Sequence, residues 1–176
     1  CPHYLVLTED DVERIGAAAK CAPPIRSADE QAALWRLLLA DQIPMIASDH
    51  SPAPADLKQG DDFFGIWGGI ASCQSTLPLL LTHGYHQRGM TLQQLAAVTS
   101  GNAAARFGLD SKGVIAEGAD ADLVLVDLDA RSMLAAEDLA YRHPISPYVG
   151  MTLRGQVRQT WVRGKLVYGT LDNARA

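Results

Sequence analysis

An α/β fold that ends in a small antiparallel β unit is predicted for this 176-residue chain, on three observations. Apolar runs and helix-start signatures alternate up to about Lys112, as strands and helices in a layered fold should. From Gly113 onward the pattern changes to short apolar runs divided by glycines. The composition, 48% hydrophobic and 20% charged, is that of a globular protein with a core of its own.

The elements follow in order. Leu5 to Leu7 read as extended. Thr8 with Asp11 then gives a capping signature for a helix to about Ala18. The prolines in Cys21-Ala22-Pro23-Pro24-Ile25-Arg26 remove donors and force a loop. Ser27 with Glu30 opens a second helix to about Leu39, with Ala33, Leu34, Leu37 and Leu38 as its apolar stripe. Ile43 to Ser48 is apolar on both faces and reads as a parallel strand covered by helices. The segment from Ser51 to Gly69, rich in Pro, Asp and Gly, is too long for a plain connection and suits a functional loop. Gly68 and Gly69 there allow either a close backbone approach to a ligand or only a turn.

Leu77 to Leu81 predicts a buried helix with Pro78 in its first turn. Thr91 and Gln94 begin another, with Leu92, Leu95, Ala96 and Val98 facing inward. Asn102 can cap a short helix to Phe107, which Gly108 ends. The glycine-divided tail predicts strands at Gly113 to Ile115, Ala121 to Asp127, Val157 to Val162 and Lys165 to Tyr168, with turns at Gly118, Gly155 and Gly164. A domain boundary is expected near Lys112, giving units of residues 1–112 and 113–176.

The formal charge of −5, with no Lys/Arg cluster, argues against a nucleic-acid partner. No run approaches the roughly 18 apolar residues of a membrane span. Cys1, Cys21 and Cys73 lack metal-site or disulfide spacing, so a reducing, cytoplasmic setting is expected. Small molecules or other subunits are the expected partners. The opening Cys1-Pro2-His3-Tyr4-Leu5, without an initiator Met, suggests the C-terminal portion of a longer protein.

Chemistry concentrates at Asp49, which closes the apolar run Met45-Ile46-Ala47-Ser48. A carboxylate at a strand's C-terminal end suits a metal ligand and proton shuttle. A turn-capping aspartate would suit the Ser-Asp-His-Ser-Pro surroundings equally well. The pairs Asp61/Asp62 and Asp120/Asp122 read as solvated loop and turn acids, and His83, His86 and His143 as surface residues.

Several longer pieces resemble the cyclic amidohydrolase family, and its allantoinase branch in particular. They are Cys1-Pro2-His3-Tyr4-Leu5, Lys20-Cys21-Ala22-Pro23-Pro24-Ile25-Arg26, Ala47-Ser48-Asp49-His50-Ser51-Pro52, Phe63-Phe64-Gly65-Ile66-Trp67-Gly68-Gly69-Ile70, Gln74-Ser75-Thr76-Leu77-Pro78-Leu79-Leu80, Lys112 through Val124, and Ser146-Pro147-Tyr148-Val149-Gly150. The resemblance implies the last two strands and helices of a (β/α)₈ TIM barrel, with Cys1 to Leu7 as strand seven and Ile43 to Ser48 as strand eight. Strands of a small β-sandwich would follow. It further implies a binuclear divalent metal centre, zinc first with cobalt or manganese as alternatives, whose carboxylated lysine and histidines lie upstream of residue 1.

In that family's chemistry Asp49 would be metal ligand and catalytic proton shuttle for a metal-activated hydroxide, opening allantoin to allantoate in purine breakdown. Ala22, Ser51 and Gly68 would meet the substrate, and His50 and His3 would stand behind them. Relatives usually carry Ser at the position of Ala22, which matters only if the contact runs through a hydroxyl. A homotetramer is implied, and the 176 residues alone are expected to be inactive. Hydantoinase or dihydropyrimidinase and dihydroorotase activities are the alternatives, followed by a non-catalytic assembly module.

Overall fold

The computed structural model describes residues 1–169. It begins with helix rather than strand: Pro2–Val6 form α1, with Leu7 N–H bonded to His3 O at 2.9 Å. Strand seven is therefore not at Cys1 to Leu7. Pro2 is compatible with that outcome, since its fixed φ and missing N–H suit a helix's first turn. After α2, Glu9–Ile15, capped by Asp11 accepting from Thr8 N–H at 2.9 Å, the chain passes through a 3-10 turn, Gly16–Ala19, into the proline loop.

Helix α3, Ala28–Leu39, starts at Ser27, whose hydroxyl accepts from Glu30 N–H. Its buried residues are Trp35 and Leu38, whereas Leu37 is exposed. The inward face is thus turned from the predicted stripe. Trp35 sets that rotation, because its large ring is buried and its indole N–H donates to Leu5 O at 2.7 Å.

Residues 43–48 form no strand, and only Ile46 among them is buried. No ladder partner flanks them among the described residues: Ile46 N–H bonds to Val98 O at 2.8 Å, and His50 makes one isolated parallel bridge with Ile70. A strand apolar on both faces is therefore not realised within this chain, since a ladder needs neighbours.

Helix α4, Thr76–Leu80, holds Pro78 in its first turn and widens into a π-helical segment, Leu81–His86. The predicted helix at Thr91 is α5, Leu92–Ala96, which runs through a π turn, Ala97–Gly101, into α6, Asn102–Phe107. Asn102 is consequently mid-helix rather than a cap, and its amide donates to Pro44 O at 2.8 Å. Leu95 and Val98 are buried, while Leu92 and Ala96 face outward. The π turn changes which side chains share a face, and a regular helical period cannot anticipate that.

The tail is a three-stranded antiparallel sheet in the order β1 (Leu123–Met133), β2 (Thr152–Val162), β3 (Lys165–Tyr168). Gly113 to Ile115 form no strand. Gly155, expected at a turn, lies inside β2 with φ 99°. A Cβ there would stand 2.8 Å from Leu81 Cδ1, so the glycine lets the sheet press onto the π segment. Leu79, Tyr148 and Leu153 share one core cluster with Leu7 and Ile25. No helix among the described residues is long and apolar enough to cross a membrane.

Candidate functional site

Asp49 sits in the left-handed region at φ 48°, a conformation Asp adopts more readily than most residues. Its neighbours hold it there. Ser48 O accepts from the Ser72 hydroxyl, and His50 Nδ1 accepts from Ser72 N–H at 3.2 Å and Cys73 N–H at 3.4 Å. The His50 ring also packs against Tyr141 at 4.9 Å. With its neighbours turned toward residues 70–73, the Asp49 side chain is left half-exposed, with Oδ2 3.6 Å from His3 Nε2.

The His3 side chain is fully buried. Burial pulls its pKa down to about 4, so it is a neutral imidazole at ordinary pH. Cys21 Sγ lies 3.4 Å from the same His3 nitrogen, and His3 Nδ1 is buried without a partner. Ligand atoms of Cys1, His3 and Asp49 all lie within 4.8 Å of one another. A carboxylate, a neutral imidazole and a thiol at that spacing form a donor set that fits a divalent cation such as zinc.

The predicted substrate residues converge on the same rim. A Cβ on Gly68 would lie 3.4 Å from the Ala22 Cβ, and one on Gly69 would lie 2.7 Å from the Ser51 Cβ and 2.8 Å from Ser51 O. Only a glycine admits this approach at residue 69, whereas the distance at residue 68 is an ordinary van der Waals contact. The Gly68-Gly69 backbone approaches Ala22 and Ser51 of the same chain, and Gly69 N–H bonds to Lys20 O at 3.0 Å. Ala22 thus adjoins Gly68 and Ser51 adjoins Gly69, while Cys21 Sγ reaches His3, which stands beside Asp49. His50 faces the other way.

Two residues that sequence reasoning missed hold the long loop. Lys58 is buried, and its ammonium donates to Ala17 O at 3.1 Å, Lys20 O at 3.4 Å and Gly69 O at 2.6 Å. Lys20 donates to the carbonyls of Phe63 at 2.5 Å, Phe64 at 2.9 Å and Ile66. Neither lysine belongs to a charge pattern, so the only available signal was a cation within a Pro/Gly-rich loop. Cys1 went unassigned because Asp49, which completes the donor set with His3, is remote in sequence.

Among the described residues the other acids do not assemble a cation site. Asp120 and Asp122 pair with Lys112, and Asp62 accepts from Phe64 N–H at 2.9 Å. Two surface depressions, one beside Tyr85 and Met90 and the other beside Val12, Pro24 and Phe64, do not include Asp49. Donor chemistry, more than concavity, marks the site in this chain.

Comparison with known proteins identifies the family to which the chain is similar. The model of the Amidohydrolase family matches residues 4–167. Allantoinase from Rubrobacter xylanophilus is 55% identical over 96% of this chain and 37% of its own length, and allantoinase from Solibacter usitatus is 52% identical over the same shares. Among solved structures, L-hydantoinase (dihydropyrimidinase) from Arthrobacter aurescens superposes with TM-score 0.92 at 36% identity, covering 96% of this chain and 38% of that one. Dihydropyrimidinase from Brevibacillus agri gives 0.89 at 30% identity, with the same coverage. The chain spans about 37% of the length of the curated relatives it matches.

Proposed function

Because this chain belongs to the amidohydrolase family, we propose that the protein containing it hydrolyses the cyclic amide bond of allantoin to give allantoate in a metal-dependent reaction. The observation that carries this reading is the exposed Asp49 carboxylate beside the buried, neutral His3, on the rim where Ala22, Ser51 and Gly68 meet. Identity to allantoinases favours allantoin among the cyclic amides.

Asp49 would hold the divalent metal, zinc first, with the remaining ligands and a carboxylated lysine upstream. Such an ion lowers the pKa of water and polarises the scissile carbonyl when bound. Asp49 takes the proton of the attacking water and delivers it to the ring nitrogen as the carbon–nitrogen bond breaks. His3, buried 3.6 Å away, stands behind the carboxylate. Main-chain atoms at Ala22 and Gly68, with Ser51, position the ring, so the absence of a hydroxyl at residue 22 is harmless.

In the same reading residues 1–112 contribute the end of a TIM barrel, with residues 43–48 as its last strand, and residues 113–176 contribute to a β-sandwich. The assembled protein would be a cytoplasmic homotetramer, and the 176 residues alone inactive. Hydantoinase or dihydropyrimidinase activity is the second reading, favoured by the superposition on L-hydantoinase at TM-score 0.92.

The test is turnover of allantoin, hydantoin, dihydrouracil and dihydroorotate by the full-length protein loaded with zinc, cobalt or manganese. Allantoin should be the preferred substrate, and chelation or Asp49→Ala should reduce its turnover by about a thousandfold or more, as expected when a metal-centred proton shuttle is lost. Faster opening of another ring would move the substrate assignment. Full activity in Asp49→Ala would remove the mechanism.

A further inference from the structure

We propose that Lys58 is a positioning residue, a buried ammonium that binds the Gly68-Gly69 backbone to the Ala17 to Ala22 segment and so fixes the substrate-facing rim as one surface. The inference rests on the functional reading above only for the identity of the substrate. Its structural part stands on the geometry of the three acceptors.

Those acceptors come from separate places: Ala17 O at the 3-10 turn, Lys20 O at the entry of the proline loop, and Gly69 O at the far end of the long loop. Three converging carbonyls use all three donors of an ammonium. Burial lowers the Lys58 pKa, and the three carbonyls stand where water would otherwise solvate the amine. Removing the amine would leave Gly69 O without that donor and loosen the backbone approach to Ala22 and Ser51.

The loop has few other ties at this end. Trp67 N–H reaches Leu57 O at 2.8 Å, and Gly69 N–H reaches Lys20 O at 3.0 Å. Lys20 gathers the outer carbonyls of Phe63, Phe64 and Ile66. The two lysines therefore divide the loop between them, with Lys58 holding the inner end beside Asp49's rim. The hydrogen bonds of Lys58 go to main-chain carbonyls and not to Cys1, His3 or Asp49. Its variants should accordingly separate substrate positioning from the chemical step.

Full-length, metal-loaded protein carrying Lys58→Met should show KM for allantoin raised about tenfold with kcat lowered less than about threefold, because ring placement loosens while the metal ligands stay. Metal content should remain that of the parent. Amide hydrogen exchange at Trp67 and Gly69 should quicken by about tenfold or more, reporting local opening of the loop. Lys112→Met, which removes a surface cation paired with Asp120 and Asp122, should change none of these. If Lys58→Met does not fold, Lys58→Gln carries the same test.

A folded Lys58 variant with parental KM and parental exchange overturns the proposal, as does one whose entire defect is lost metal. A parent inert on every cyclic amide, together with faster exchange in the variant, would overturn the functional reading while upholding the clamp.

Discussion

At the scale of single residues, the protein places polar chemistry by burying one partner and exposing the other. The His3 side chain has no exposed surface while that of Asp49 is 50% exposed, so the imidazole is fixed and the carboxylate stays accessible. A different histidine gives a pH prediction. His83 has its pKa lowered from 6.5, chiefly by burial and against the opposing hydrogen bond with Gln87. The unfolded chain therefore binds more protons in the window below 6.5. His83 thus contributes stability that is complete above the unfolded pKa and is lost as pH falls through the folded value. The urea midpoint of the full-length protein should fall between about pH 7 and about pH 5, and His83→Gln should make that fall shallower. An unchanged pH dependence in the variant would show that His83 contributes nothing to it.

Between elements, the closest fit is that of β2 on the π segment after α4. Thr82 Oγ1 accepts from Arg154 N–H at 2.8 Å, and Gly155 next to it lets the strand approach Leu81. Gly155→Ala adds a methyl where none fits, at a φ of 99° that L-residues rarely adopt. Both effects oppose folding, and the sum should lower the unfolding free energy by about 2 to 4 kcal/mol. Chemical denaturation would check it, with Gly118→Ala as the comparison: that glycine shares a positive φ of 86° but has open space around it. Equal losses in the two variants would assign the cost to backbone conformation alone and remove the packing argument.

Taken as a whole, the molecule is continuous across residue 112. Tyr148 and Leu153 from the C-terminal part join Leu79 and Leu7 in one cluster, while Val126 and Leu128 pack against the cluster built on Trp35 and Leu80. Binding at Asp49 should thus be felt as global stability. A metal that binds only the folded state at a hundred times its Kd adds about 2.7 kcal/mol. Chelation should lower the thermal midpoint of the full-length protein, and Asp49→Asn should show a smaller drop. Equal drops would mean that Asp49 holds no metal.

Local chemistry is what the sequence by itself determined. Thr8, Ser27 and Thr91 mark helix starts because a capping side chain acts within three residues, and Gly164 marks its hairpin because the turn needs φ above zero. Asp49, Ala22, Ser51 and Gly68 were legible as site candidates through motif resemblance. The tertiary structure decided what depends on remote partners. It turned α3 toward Trp35, made residues 2–6 helical against it, and left residues 43–48 without a ladder. It also brought Cys1 and His3 to Asp49 and drove Lys58 under the loop. Burial and hydrogen bonding between segments tens of residues apart are properties of packing, and no local pattern encodes them.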